Sequence, residues 1–182
     1  MSFKMKNLRK QNWIYWITVP GVIAGSSPGW ATVYLTVEQA QQAIFPGGKF
    51  TASPLVLTSD QCKEIKKRTG VPVRVKEQKI WKVDSGGYFI VDEVLGKHEF
   101  ITYAVGIHSD GSVRQIEIMD YRESYGYEIR DESWRKQFVG KTDKSQLKLD
   151  DDIKNISGAT LSSRHITDGV KRILAMYEIA LR

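Results

Sequence analysis

Cysteine and histidine are scarce in this chain of 182 residues, which contains one cysteine and three histidines. The single thiol, Cys62, has no second cysteine for an internal disulfide or a cysteine zinc site, and we expect it to lie buried and inert on a helix. His98, His108 and His165 are far apart in sequence and form no spacing typical of a metal site. Hydrophobic residues make up 41% of the chain, so an apolar core is expected to stabilise it.

Acidic residues are absent from the first 31 positions, which carry Lys4, Lys6, Arg9 and Lys10. These four residues account for most of the net charge of +6, because the total of 27 basic residues less these four leaves 23 against 21 acidic ones. Nucleic-acid binding needs a basic surface on the folded domain. The charge pattern therefore argues against a nucleic-acid partner.

An apolar run at residues 13–24 follows the basic cluster and is interrupted by Pro20. A charged region, a short apolar region and a small-residue exit are the order typical of a signal peptide. We predict a signal peptide over residues 1–31, cleaved after Ala31, with a second and less favoured cleavage position after Ala24. The exported domain would lie in the periplasm or on the outer face of the cytoplasmic membrane. An uncleaved membrane anchor or an ordinary first helix is the alternative.

Hydrophobic periodicity over residues 32–182 predicts one α+β domain, a mainly antiparallel sheet with helices on one side and a long amphipathic C-terminal helix. Thr36 and Gln39 form a capping box for the first helix. Ser59 is predicted to cap the second helix, and Gly70 to end it. Period-two patterns predict strands at residues 32–35, 71–75, 79–83, 88–94, 100–107 and 113–121, with a hairpin turn at 84–87 and a short helix at 131–138.

Small and hydroxyl-bearing residues gather where the last helix is predicted to start, at Ser157, Gly158, Ala159, Thr160, Leu161, Ser162 and Ser163. Amides in the first turn of a helix lack partners, and the helix dipole favours negative charge there, so this end suits a phosphate. A plain N-cap with Ser157 as the capping residue explains the same pattern. The residues alone therefore leave both interpretations open.

Ser157-Gly158-Ala159-Thr160 resembles the flavinylation motif of the FMN-binding domain family, which occurs in flavin-carrying subunits of sodium-pumping NADH:quinone reductases and Rnf-type complexes. In that family a flavin transferase that uses FAD esterifies the last threonine with the FMN phosphate, outside the cytoplasmic membrane, and Thr160 is the matching residue. Glu123-Ser124-Tyr125-Gly126 resembles the acidic, hydroxyl, proline, glycine run that precedes the attachment site. Trp134 and residues 138–140 resemble the aromatic segment after it, so the resemblance covers residues 100–182.

The resemblance implies a set of cofactor-binding residues: Thr160, Ser157, Gly158, Ala159, Leu161, Ser162, Glu123, Tyr125, Gly126 and Lys154. Two of them depart from the family pattern. Lys154 stands where the family usually has an aspartate, with Asp151 and Asp152 nearby, and would pair with the flavin phosphate or with Asp152. A solvated surface lysine is the alternative. Tyr125 replaces the usual proline and adds a ring that would stack on a flavin.

The function that the resemblance implies is that of an exported FMN-binding electron-transfer protein of the bacterial envelope, an electron carrier rather than a free-standing catalyst. Its partners would be a flavin transferase and redox donor and acceptor proteins in or near the membrane. A flavin exchanges electrons by itself, so the protein needs no acid–base set. Tyr125, Tyr127 and Trp134 are candidates for ring contacts. A non-covalent FMN binder and a flavin-free domain that binds a protein or an anionic ligand are the alternatives.

Overall fold

An antiparallel sheet forms the centre of the computed structural model, which describes residues 34–182. The predicted signal peptide lies outside the described residues, as does part of the strand predicted at residues 32–35. The six strands are β1 (Phe50–Ala52), β2 (Leu55–Val56), β3 (Glu77–Val83), β4 (Tyr88–Leu95), β5 (Phe100–Ile107) and β6 (Val113–Asp120). Their order across the sheet is β1-β3-β4-β5-β6, with β2 also paired to β3, and every pair is antiparallel. The predicted α+β class is confirmed.

Within residues 34–182, four α-helices and two short 3-10 turns accompany the sheet. The helices are α1 (Val37–Ile44), α2 (Ser59–Thr69), α3 (Glu132–Arg135) and α4 (Thr160–Ala180), and the turns at Tyr127–Arg130 and Lys136–Phe138 flank α3. The capping box of Thr36 and Gln39 is present at the start of α1, as predicted. No helix in the described part of the chain is long and apolar enough to cross a membrane.

The second helix, α2, begins as predicted but is capped by a different residue. Thr58 accepts a hydrogen bond from the Gln61 backbone amide, and the Gln61 side chain accepts one from the Thr58 amide. The prediction of Ser59 as the cap was therefore wrong, because the complete capping box lies one residue earlier. Gly70 ends the helix in a left-handed conformation, as expected.

Residues 71–75 form an irregular connection, so the strand predicted there was wrong. Pro72 has no backbone amide to donate to a sheet, and Val75 is largely exposed. Tyr34 and Leu35 also form no strand, and both amides donate instead to the carbonyl of Met119. The two shortest strands, β1 and β2, contain too few residues for an alternating pattern to predict them.

The sheet is covered on both faces, which corrects the prediction of helices on one side only. The larger core includes α4, Ile65 of α2 and one face of β4, β5 and β6. The smaller core, on the opposite face, includes Ile44 of α1, the following residue Phe45, and Phe89. Three successive residues of β4, Phe89, Ile90 and Val91, are buried, as expected for a strand with both faces covered. Cys62 is half-buried against the larger core, so its expected burial is only partial.

Candidate functional site

The two sequence segments that resemble the family meet at one cavity of about 320 Å³. Its lining consists of Lys97, His98, Glu123, Ser124, Tyr125, Gly158, Ala159, Thr160, Leu161 and Ser162. Seven of the ten predicted site residues therefore lie at this cavity. Of the other three, Gly126 packs behind Ala159, while Ser157 and Lys154 are exposed outside the lining.

The start of α4 supplies unpaired backbone amides to this cavity. Ala159 is the N-cap, and no side chain among the described residues caps it. The first intrahelical hydrogen bond runs from the amide of Ser163 to the carbonyl of Ala159, at 3.0 Å. The amides of Thr160, Leu161 and Ser162 therefore have no partner within the helix. The interpretation of Ser157 as a capping residue was wrong, because the helix begins three residues after it.

Gly126 brings the two segments into direct contact. It has a left-handed backbone, with φ of 87°, and a Cβ added to it would lie 2.1 Å from the Cβ of Ala159. Only glycine fits both this conformation and this contact. Gly126 therefore acts on the cavity through the backbone that it brings close to α4.

Tyr121 connects the same two segments through its buried hydroxyl. The hydroxyl donates to the carbonyl of Tyr125 and lies 3.3 Å from the Ser162 Oγ, and the ring packs edge-to-face against Tyr127 with centroids 5.7 Å apart. Burial raises the pKa of Tyr121, which keeps the hydroxyl protonated as a donor. Because the Tyr121 proton goes to Tyr125, the Ser162 hydroxyl is left to donate to Tyr121. Ser162 thus offers the cavity its backbone amide rather than its hydroxyl.

Glu123 is buried, and its carboxylate holds the turn between β4 and β5. Its Oε1 accepts hydrogen bonds from the backbone amides of His98, at 2.6 Å, and Glu99, at 3.1 Å. Burial alone would raise the pKa of Glu123, but the amides of His98, Glu99 and Lys97 outweigh burial and lower it. Glu123 was predicted to contact a cofactor, but its carboxylate instead positions the turn that carries Lys97 and His98.

Thr160 combines an open position with a partner for its hydroxyl. It is half-buried at the cavity, and the Asn155 amide nitrogen lies 3.4 Å from its Oγ1. The Oδ1 of Asn155 is buried and has no hydrogen-bond partner within residues 34–182. Sequence reasoning missed Asn155, since an asparagine in a loop gives no signal of its contact.

Lys154 is anchored by its backbone, with its side chain exposed. Its amide donates to Gln137 at 2.7 Å, and its carbonyl accepts from the Trp134 indole at 2.8 Å. The predicted pairing with Asp152 was wrong, because Asp152 pairs with Lys141 at 2.9 Å. A contact between Lys154 and a phosphate stays a prediction.

Of the three aromatic residues considered for ring contacts, Tyr125 alone lines the cavity. The residue is 77% exposed, which leaves the ring free to meet a ligand. Trp134 is buried against Phe138, with ring centroids 5.1 Å apart, and Tyr127 packs on Tyr121. Trp134 and Tyr127 therefore serve packing.

Sequence reasoning also missed Lys97 and His98, which line the cavity together with Ser124 of the second motif. The first two lie on a turn whose place beside α4 depends on the sheet and on Glu123, so only the fold reveals them. His165 does not line the cavity, and its ring nitrogen bonds the carbonyl of Leu95. Within residues 34–182, no group of three potential ligand side chains could hold a metal ion.

A second cleft of about 120 Å³ lies beside Asp92 and Arg172, and the described residues that line it belong to neither motif. The cavity at the start of α4 combines unpaired amides, the positive end of a 21-residue helix and two basic residues. These are the features of a phosphate site, and its size falls at the lower end of the range for small-molecule pockets.

The fold and the site thus define an α+β domain suited to a small molecule that carries a phosphate. The sequence profile of the FMN-binding domain family matches residues 96–175, so the chain contains a domain of that family, and FMN is its cofactor. No curated protein matches the chain. The matched residues include both segments that meet at the cavity, and the family favours FMN binding over the flavin-free alternative.

Proposed function

We propose that this chain is an exported electron carrier that holds FMN in the cavity at the start of α4. The observation that carries the proposal is the meeting of residues 123–126 with residues 158–162, with Thr160 at the cavity. The phosphate would accept hydrogen bonds from the amides of Thr160, Leu161 and Ser162, where the helix dipole also favours its charge. Lys97 and His98 would lie beside it on the turn that Glu123 holds.

FMN in this proposal is attached through its phosphate to Thr160. The Oγ1 of Thr160 attacks the FMN phosphorus of FAD in the site of a flavin transferase, and a phosphoester bond forms. The anhydride bond to AMP breaks, AMP leaves, and the hydroxyl proton passes to solvent. Asn155 supports this assignment, because its amide contacts Oγ1 and limits the rotation of the hydroxyl-bearing side chain.

The bound flavin supplies the electron-transfer chemistry, and the protein supplies position and surroundings. Tyr125 would pack on the flavin ring from the exposed side of the cavity, and one edge of the flavin would stay accessible to redox donor and acceptor proteins. Export would place the domain with the transferase outside the cytoplasmic membrane. A covalent tether would also prevent loss of the flavin there.

The test compares Thr160→Val with Thr167→Val in a host that exports the chain and contains a flavin transferase. Thr167 is a matched control, because it lies buried on α4 and its hydroxyl donates to the Ser163 carbonyl at 2.7 Å. After denaturation, the native chain and T167V should retain flavin colour and gain the mass of FMN minus one water. T160V should fold without this gain.

The outcomes separate the parts of the proposal. Covalent flavin on T160V would overturn the attachment residue, and free FMN released from the native chain would show non-covalent binding. A mature mass that begins at residue 32 would establish cleavage after Ala31, whereas a full-length mass would favour the anchor. Absence of both bound and released flavin from the native chain and from T167V would overturn the site itself.

A further inference from the structure

We infer that Tyr121 is a positioning residue for the flavin ring, acting through Tyr125. The inference rests on the proposed place of FMN at the start of α4. Tyr121 does not line the cavity, but its hydroxyl bonds the backbone of Tyr125, and the Tyr125 ring does line it. The residue that contacts the ligand is thus held in place by one that does not.

The hydrogen-bond chain runs from the start of α4 to the loop after β6. The Ser162 hydroxyl donates to the Tyr121 oxygen, and the Tyr121 hydroxyl donates to the Tyr125 carbonyl. Tyr121 is 2% exposed, and its ring is fixed edge-to-face against Tyr127. A buried hydroxyl that makes two hydrogen bonds restricts the backbone to which it donates.

Tyr125 needs such a restraint, because its own side chain is held by little else. Tyr125 is 77% exposed, so packing by its neighbours restricts its ring little. Without the Tyr121 hydroxyl, the Tyr125 carbonyl would lose a buried partner and the loop would move. The tyrosine ring would then sample positions away from the flavin.

Tyr177 offers a matched control at the other end of α4. It is also buried, packs edge-to-face on Tyr88 with centroids 5.9 Å apart, and donates from its hydroxyl to the Ser109 carbonyl at 2.8 Å. Tyr177→Phe therefore removes the same atom from the same kind of contact, far from the cavity. Any loss of stability common to buried tyrosine hydroxyls appears in both variants.

The experiment measures flavin fluorescence in the full chain, loaded with flavin, because a tyrosine ring in contact with a flavin quenches its emission by electron transfer. Tyr125→Leu should raise the emission several-fold. Tyr121→Phe should raise it in the same direction, and Y177F should leave it at the native level. In the double variant, Y121F should add nothing to Y125L, because Tyr121 acts through Tyr125.

Equal emission from Y121F and Y177F would overturn the inference, as would an additive double variant. If Y121F fails to fold, Ser162→Ala tests the chain from its other end, since it removes the donor to Tyr121 and keeps the backbone amide. A smaller rise in emission is expected, and no change in S162A would count against the inference. Absence of flavin from the native chain would instead contradict the proposed function.

Discussion

A carboxylate beside a phosphate site repels the phosphate unless other groups compensate its charge, and backbone amides compensate the charge of Glu123. Both the His98 and Glu99 amides point to one oxygen of its side chain, and Gly96 approaches so closely that an added Cβ would lie 2.4 Å from that oxygen. The residue therefore works as part of the fold, and its effect on the ligand passes through the turn that it holds.

Glu123→Gln should destabilise the protein by about 1.5 kcal/mol at neutral pH, because the backbone amides would then donate to a neutral amide oxygen instead of a charged carboxylate. The folded-state pKa of Glu123 lies below its unfolded value of about 4.3. Its contribution is therefore present above pH of about 4.3 and is lost as pH falls through the folded pKa. Urea titrations across this range check the prediction. Glu132→Gln is the control, because the exposed ion pair of Glu132 with Lys136 should contribute little to the free energy of unfolding. Equal losses of stability in the two variants would contradict the prediction.

At the scale of elements, local chemistry was predictable and distant contact was not. Thr36 and Gln39 predicted the start of α1 because a capping box is complete within four residues. The strand prediction for residues 71–75 failed because alternating valines form a strand only when a partner strand pairs with them. Pro72 has no backbone amide to donate and so helps to prevent such pairing. The resemblance identified both segments that meet at the cavity. The sequence did not predict that the Glu123 carboxylate would accept hydrogen bonds from the turn between β4 and β5.

Gly126→Ala should separate the segments that form the cavity. The left-handed backbone costs an alanine about 1–2 kcal/mol, and the clash with Ala159 adds about 1–3 kcal/mol as overpacking. Gly140→Ala is the matched control, with φ of 75° and no described atom within 4 Å of the new Cβ. The thermal unfolding temperature and the flavin content should both fall further in G126A than in G140A. Similar flavin content in the two variants would show that the Gly126 contact is unnecessary for the site.

Over the whole described unit, the sheet separates two layers with different tasks. The site is built from the start of α4, the loop after β6 and the turn between β4 and β5. On the opposite face, Ile44 of α1 and the following Phe45 belong to one cluster with Phe89 and Met119. Because the strands between these layers are shared, a change in the α1 layer tests whether stability and flavin binding depend on the same contacts.

Gly106→Ala makes that test, because a Cβ on this residue of β5 would lie 2.3 Å from the Ile44 Cγ2 and 2.9 Å from the Phe45 ring. We expect a loss of about 1–3 kcal/mol from overpacking. Ile44→Ala creates space at the same place, so the double variant should lose less than the sum of the single losses. Flavin content and absorption spectrum should stay native while the protein is folded, since α1 lies across the sheet from the cavity. Urea titrations monitored by tryptophan and by flavin fluorescence give both quantities, and flavin loss from folded G106A would mean that the two layers are coupled through β5.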